Sequence, residues 1–490
     1  MSIRENLRLE GNVRIDDRDE SLTDDEIILN AYQSWGEDCV KHLIGDFAFA
    51  ISDGEKLFCA RDHMGVKPFF YTHAGGDFMF SSTLNDLRGV TNTLNEIAVG
   101  DYLLFGVNQD NSTTIFKEIQ RLPPGHTLTV ANNEIKIRRY WAPTLPAEVR
   151  YRDSESYVEH FSELFSRAVK DRLRTDRVAI SMSGGLDSTS LAAIASEHAE
   201  VAGFTVVYDS LIPDEERHYS ELAAKHLGIP VTHLNADRYG LFDGDMDQAE
   251  PFLLSVKTGQ FNDLLRLCAG FSSVAITGYD GDALMHEPHL SIRTRIGRML
   301  RKADLGSIPE WIDESFARRT NLLERWEQFW SRKGDEGNRP AALRALNSKI
   351  WTSLFEGYDR GATKLNLDVR HPFLDVRLVE YLLAIPTKPW CVNKHILRRA
   401  MSDKLPAAVL NRQKTGLMGD PALQLVQRAS VRWLDSFEVS PQLRAFVNLN
   451  RRRPVAEEKT SDALWASLRV FALNYWLTNS RPKMETMHGT

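Results

Sequence analysis

The stretch AISMSGGLDSTSLAAIASEHA, residues 179–199, decides the fold. A short β-branched run, Arg177 to Ile180, passes at once into serines and two glycines with Asp187 among them. Ser190 to His198 then has helix-forming composition, so SMSGGLDS reads as a turn between a strand and a helix. In a parallel sheet such a turn lies at the carboxyl ends of the strands, where ligands bind. Gly184 and Gly185 leave room for backbone N–H groups to approach an anion, and the helix N-terminus adds partial positive charge. Ser183 and Ser188 offer hydroxyl donors to phosphate oxygens. Asp187 would repel a bare phosphate, so a divalent cation between them is the natural arrangement. The loop therefore reads as a pyrophosphate cradle with a metal carboxylate. A Gly-Ser turn with a helix-capping Asp is the plainer alternative. It is not a Walker loop, which would end in Gly-Lys-Ser or Gly-Lys-Thr.

The rest of the chain sets limits. Its 490 residues are too many for one core and suggest two to four domains. With 60 basic and 67 acidic residues the net charge is -7, which offers no electrostatic case for nucleic acid or a membrane surface. Basic runs at Arg293 to Arg301 and Arg451 to Arg453 read as solvated faces. Cys39, Cys59, Cys268 and Cys391 show no CxxC spacing, so neither a zinc site nor a disulfide framework is indicated. The first twenty residues lack an apolar signal region, and no stretch approaches the roughly 18 apolar residues of a membrane span. A soluble, cytoplasmic protein is expected.

The first part alternates like strands at Phe47 to Ile51 and Phe78 to Ser81, with helical spacing only at Asp24 to Trp35. The proline-bearing segment Pro143 to Pro146 then separates a sheet-rich domain, residues 1–145, from a second domain, residues 150–480. In the second, the apolar strands Val178 to Ser181, Ala202 to Val207 and Ser273 to Thr277 alternate with helix-length segments, which implies an α/β domain with a parallel sheet. From about residue 300 helical spacing dominates.

SGGLDS resembles the PP-loop of ATP pyrophosphatases, enzymes that cut ATP between its α- and β-phosphates to adenylate a substrate. ITGYDGDAL, residues 276–284, is similar to the second glycine-rich element of the asparagine synthetase family. DVRHPFLDVRLVEYLLAIP, Asp368 to Pro386, and NRQKTGL, Asn411 to Leu417, resemble that family's site-closing segment and its lysine-bearing loop. The resemblance implies an adenine nucleotide α-hydrolase-like domain with a helical C-terminal part. It implies ATP against Ser181, Ser183, Gly184, Gly185, Leu186, Asp187, Ser188, Val207, Gly278 and Tyr279, and Mg2+ on Asp187 and Asp282. The family usually has glycine where this chain has Asp280. By position Tyr358 and Asp368 match the pair that acts as base on the attacking amine, a carboxylate bonded to a phenol. Lys414 would sit by the α-phosphate and the developing oxyanion.

The first domain resembles the family's glutamine-hydrolysing domain at LIGDFAFAISD, residues 43–53, and CARDHMGVKPFFY, residues 59–71. The resemblance implies an Ntn-type α+β sandwich in degenerate form. The family places a catalytic Cys directly after the initiator Met, where this chain has Ser2, and an Asn-Gly pair where it has Glu10-Gly11. Asp24, which matches an amine-binding Asp, cannot act without a thiolate nucleophile. A synthetase that has lost this ammonia source must use another amine. SWGEDCVKHLIGDFAFA, PEWIDESFARR, WTSLFEGYDR and KTGLMGDP look most like lasso-peptide cyclases. In those relatives the N-terminal amine of a precursor peptide attacks an adenylated Asp or Glu side chain to close a macrolactam. The family's partners are a leader peptidase and a leader-binding protein. An asparagine synthetase using ammonia, a β-lactam-synthetase-like small-molecule cyclase and a non-catalytic nucleotide-binding scaffold remain alternatives.

Overall fold

The computed structural model describes residues 7–15, 22–244, 248–251, 256–286, 308–331, 339–413, 417 and 419–479. The described residues of the first half form eight strands: β1 (Leu7–Arg14), β2 (Ile44–Ser52), β3 (Lys56–Arg61), β4 (Phe70–Ala74), β5 (Asp77–Ser81), β6 (Gln120–Arg121), β7 (His126–Ala131) and β8 (Glu134–Arg139). They form an antiparallel sheet in the order β1-β2-β3-β7-β8 and a smaller one in the order β5-β4-β6. Strand β2 shows why. Side chains alternate across a strand, so Phe47, Phe49 and Ile51 pack with the helix Asp24–Trp35 on one face. Ala48 and Ala50 meet Cys59, Phe69, Tyr71 and Leu128 on the other. A capping box between Thr23 and Glu26 starts that helix. The result is the expected α+β sandwich.

The second half is built on a parallel sheet of β9 (Arg177–Ser181), β10 (Glu200–Val207), β11 (Val231–Asn235), β12 (Val274–Thr277) and β13 (Asp368–Arg370), in the order β11-β10-β9-β12-β13. Both faces are covered, as parallel sheets require. Val178, Ile180, Val274 and Ile276 pack towards the helix Ser154–Leu173, whose Phe161, Phe165 and Val169 form a buried stripe. Ala179, Ala202, Phe204 and Ala275 face the helix Thr258–Phe271 on the opposite side. The remaining described residues are mainly helical, and the last of them form the long helix Ser461–Asn479.

One helix of the first half, Glu96–Phe105, has no counterpart in the sequence reading. It is apolar nearly all round, and residues 98–104 are buried. No polar face remains to reveal the helical period. It packs with the C-terminal helix Ser461–Asn479 in a single apolar cluster, so the two halves share a core. The segment around Pro143 to Pro146 carries neither helix nor strand. Among the described residues no helix is long and apolar enough to cross a membrane.

Ion pairs, most of them buried, also join the halves. Arg172, on the last turn of the helix Ser154–Leu173, places Nη2 2.9 Å from Asp46 Oδ1 and Nη1 2.7 Å from Asp375 Oδ2. Arg174 pairs with Asp24, and Lys67 with Asp368. Arg121 lies between Glu356 and Glu250. Burial alone would raise the Asp375 carboxyl, but hydrogen bonds from Arg377 and the charge of Arg172 hold it well below the usual range. Removing Arg172 would leave the buried Asp46 carboxylate without its cation, while Asp375 keeps Arg377, a loss of about 3–5 kcal/mol. Arg172→Ala is therefore expected to lower the denaturation midpoint clearly in guanidinium unfolding. An unchanged midpoint would show that the bridge does not hold the halves.

Candidate active site

The site follows from one register. Strand β12 pairs with β9 in parallel, with Ile276 opposite Ile180 and Thr277 opposite Ser181. Two glycine-rich loops therefore leave adjacent strands at the same level. Their glycines are steric requirements. Gly184 has φ +63, and a Cβ there would lie 2.8 Å from the Ser220 backbone nitrogen. A Cβ on Gly281 would lie 2.8 Å from Asp187 Cγ, so the second loop can press against the first only without a side chain.

The helix Leu186–Ala195 begins at Gly185 with no side-chain cap, which leaves its first N–H groups facing the loop. The loop is braced from within, since the Ser183 backbone nitrogen donates to Ser188 Oγ at 3.0 Å. Above it opens a cleft of about 820 Å³. Ser181, Ser183, Gly185, Leu186, Asp187, Ser188, Gly278, Tyr279 and Asp282 all line it. Gly184 shapes the turn from behind. Val207, at the end of β10, is fully buried and is not on the cleft wall.

Asp187 and Asp282 converge, the pair that the family resemblance implies for Mg2+. Between them sits Lys394, its Nζ 2.5 Å from Asp187 Oδ2 and 2.6 Å from Asp282 Oδ1. One cationic group reaches both carboxylates, and two hard oxygen ligands so placed fit a Mg2+ ion, which they would hold. Nothing in the sequence reading singles out Lys394. It precedes the helix His395–Ala400, and its backbone takes a left-handed conformation at φ 57. Arg398, one turn along, and Arg412 also line the cleft. Arg412 pairs with Glu216 at 3.0 Å and stacks over Tyr219. The one available signal is the KHILRR run, whose cations at Lys394 and Arg398 share a helical face.

Asp280 also takes the left-handed region, at φ 68, a conformation that glycine adopts without steric cost. Both its carboxylate oxygens are buried without a hydrogen-bond partner among the described residues. Burial, with Asp282 nearby, raises this carboxyl to about 7.

Tyr358 and Asp368 line one small cavity beneath the cleft, yet they are not hydrogen-bonded to each other. The Tyr358 hydroxyl lies 2.9 Å from the Tyr279 hydroxyl. Asp368 is held by Lys67 and, at 2.7 Å, by Arg370 Nε. Burial would raise its carboxyl, but those two cations outweigh burial and hold it well below the carboxylate range. The expected phenol–carboxylate bond is thus replaced by a tyrosine pair and an ion-paired aspartate. Lys414 lies outside the described residues, as does Ser2.

Cys39, Cys59, Cys268 and Cys391 are all buried, and none forms a disulfide. Burial pushes the Cys39 and Cys268 thiols up to about 12, and Cys59 higher still. None of these three is a thiolate at neutral pH. Asp24 accepts from the Val13 backbone nitrogen at 3.1 Å and pairs with Arg174.

Two substitutions test this geometry. Asp187→Ala is expected to abolish ATP–pyrophosphate exchange, and Lys394→Met to lower it by about 100-fold, the scale of losing one fixed charge at a phosphoryl site. Exchange that survives Asp187→Ala unchanged would remove the carboxylate from the nucleotide site.

Comparison with known proteins agrees with this architecture. Residues 160–478 match the asparagine synthase family, and residues 1–141 match the glutamine amidotransferase domain. Asparagine synthetase [glutamine-hydrolyzing] 3 of Bacillus subtilis is 28% identical over 466 residues, covering 84% of this chain and 72% of that protein. A putative asparagine synthetase [glutamine-hydrolyzing] 2 of Methanocaldococcus jannaschii is 28% identical over 369 residues, covering 68% of this chain and 69% of its own length. Among solved structures, the allosteric regulatory enzyme of purine biosynthesis covers 69% of this chain and 74% of its own at 13% identity. Its TM-score is 0.21. With the family matched over most of the chain and both glycine-rich loops in place, this protein belongs to the asparagine synthase family and is an ATP-dependent ligase that forms carbon–nitrogen bonds.

Proposed function

We propose that this ligase adenylates an Asp or Glu side chain of a precursor peptide and joins it to that peptide's N-terminal amine, closing a lasso-peptide macrolactam. The observation that supports this most is the state of the amidotransferase-like half. Its cysteines, Cys39 and Cys59, are buried thiols, and its Asp24 is committed to Arg174. Neither is disposed to hydrolyse glutamine, so the amine comes from elsewhere. The cleft of about 820 Å³ lies towards the upper end of ligand pockets and leaves room for a nucleotide and an entering side chain.

In this reading the triphosphate lies against residues 183–188, on the open N–H groups of the helix N-terminus. Asp187 and Asp282 would hold Mg2+, which would supply positive charge for the leaving pyrophosphate. Ser183 and Ser188 donate to phosphate oxygens, and Arg398 and Arg412, which line the same cleft, face the same charge. With both aspartates so engaged, Lys394 turns to the phosphates. Lys414 supplies the cation at the α-phosphate. The substrate carboxylate displaces pyrophosphate, the amine attacks the acyl carbon, and AMP leaves. A leader peptidase and a leader-binding protein present the peptide, in the cytoplasm.

Incubation with ATP and a leaderless precursor peptide is expected to yield pyrophosphate, AMP and a product lighter by one water, read by mass spectrometry. Asparagine formed from aspartate, ATP and ammonium, with no peptide product, would assign the chain to asparagine synthesis instead.

A further inference from the structure

Beneath the cleft floor lies a histidine that the reactions above do not use. His371 follows β13 and is 1% exposed. Its ring is enclosed by Phe355, Tyr358 and Tyr279, with centroids 4.8, 5.8 and 5.9 Å away. Nδ1 lies 2.6 Å from Thr277 Oγ1, and Thr277 itself lines the nucleotide cleft. The imidazole is therefore one hydrogen bond below the floor on which the acyl-adenylate forms. Nε2 is buried and has no partner among the described residues. A buried ring nitrogen left without a partner loses the hydrogen bond it had in water, so it calls for a ligand.

The place for one is present. His371 lines the small cavity beside Tyr358, Asp368, Lys67 and Val66, with walls from both halves of the chain. Its volume of about 10 Å³ admits one group the size of a water molecule. An amine nitrogen is of that size. The other side-chain acceptors named there are committed, since Asp368 is shared by Lys67 and Arg370 and the Tyr358 hydroxyl is bonded to Tyr279. Nε2 of His371 is open.

We infer that this cavity seats the nitrogen of the attacking amine and that His371 Nε2 accepts the proton which that nitrogen sheds. The inference rests on the carbon–nitrogen ligase reading, whichever carboxylate is activated. As the nitrogen bonds to the acyl carbon, the carbon–oxygen bond to AMP breaks and one N–H proton passes to Nε2. The nitrogen of the tetrahedral adduct is far more acidic than a free ammonium, so a weak base suffices. Burial lowers the imidazole to about 4, with Lys67 and Arg172 lowering it further and Asp46 and Asp368 opposing. It is thus neutral and able to accept at working pH. The assignment requires the proton of the free imidazole on Nδ1, donated to Thr277.

That requirement can be tested without substrate. Long-range ¹H–¹⁵N spectra of the full chain labelled in histidine, assigned by difference from His371→Asn, are expected to show a protonated Nδ1 and a bare Nε2. A proton on Nε2 at neutral pH overturns the proposal. Kinetics supply the second arm. His371→Asn keeps a polar atom near Nδ1 for Thr277 and deletes the Nε2 acceptor, whereas His371→Gln keeps an amide near Nε2 without its basicity. With aspartate or a leaderless peptide as carboxylate, whichever supports exchange, ATP–pyrophosphate exchange should stay within about 3-fold of the parent while amide formation falls about 10²–10⁴-fold. Hydroxylamine, which is uncharged at neutral pH and a stronger nucleophile than an ordinary amine, depends less on a base and should still form hydroxamate at near the parent rate. Amide formation that persists in His371→Asn overturns the proposal. So does loss of exchange and hydroxamate together in both variants, since the ring would then serve only to hold Thr277. Absence of exchange in the unaltered chain sinks the ligase reading instead, and the tautomer spectrum still judges His371.

Discussion

The active site depends on the parallel pairing of β9 with β12. Because Ser181 stands opposite Thr277, the two glycine-rich loops leave the sheet at one level, and Asp187 and Asp282 end within reach of one cation. A shift of the register by one residue would turn every side chain of β12 to the other face. The apolar alternation prevents it. Val274 and Ile276 match Val178 and Ile180 in the core beneath the helix Ser154–Leu173, while Ala275 matches Ala179 on the opposite side. Site geometry is thus set by packing several residues away from any ligand.

Charge is arranged around this frame in two layers. In the cleft, Lys394, Arg398 and Arg412 face Asp187, Asp282 and Glu216, a nearly balanced set that a nucleotide and metal can enter by exchanging partners rather than by leaving charges bare. Deeper, Arg172, Lys67 and Arg121 bind carboxylates across the two halves. Pairs of that kind are poor sources of net stability, but each broken one leaves a buried charge, so they favour one relative placement of the halves. Lys67 carries this into the site. It comes from the amidotransferase-like half and engages Asp368, which the sequence offers as a base. A half that keeps its sandwich while its cysteines lie buried retains a structural part in the ligase.

Much of the site was legible in the sequence because it rests on local rules. Glycines beside a strand end, a helix start and a carboxylate within six residues specify an anion loop whatever the surroundings. Ser183, Gly185, Asp187 and Ser188 reach one cleft accordingly, with Gly278 and Asp282, which the family resemblance implies. Lys394, His371 and the Tyr279–Tyr358 bond were not legible. Lys394 is about two hundred residues from Asp187 in sequence, and nothing in KHILRR marks which cation turns inward. The helix Glu96–Phe105 was hidden for the opposite reason, being buried on every side.

By itself, then, the sequence determined the strand-turn-helix units, a sheet-rich half followed by a parallel-sheet half, and the residues of the phosphate loop. These arise from periodicity and from the few conformations open to glycine, both properties of neighbouring residues. Only the tertiary structure decided which charges neutralise which. It paired Asp368 with Lys67 and Arg370, joined Tyr358 to Tyr279, and left one ring nitrogen of His371 without a partner among the described residues. The protonation state of a buried group depends on burial and on charges brought close from distant parts of the chain, and those distances do not exist until the chain has folded.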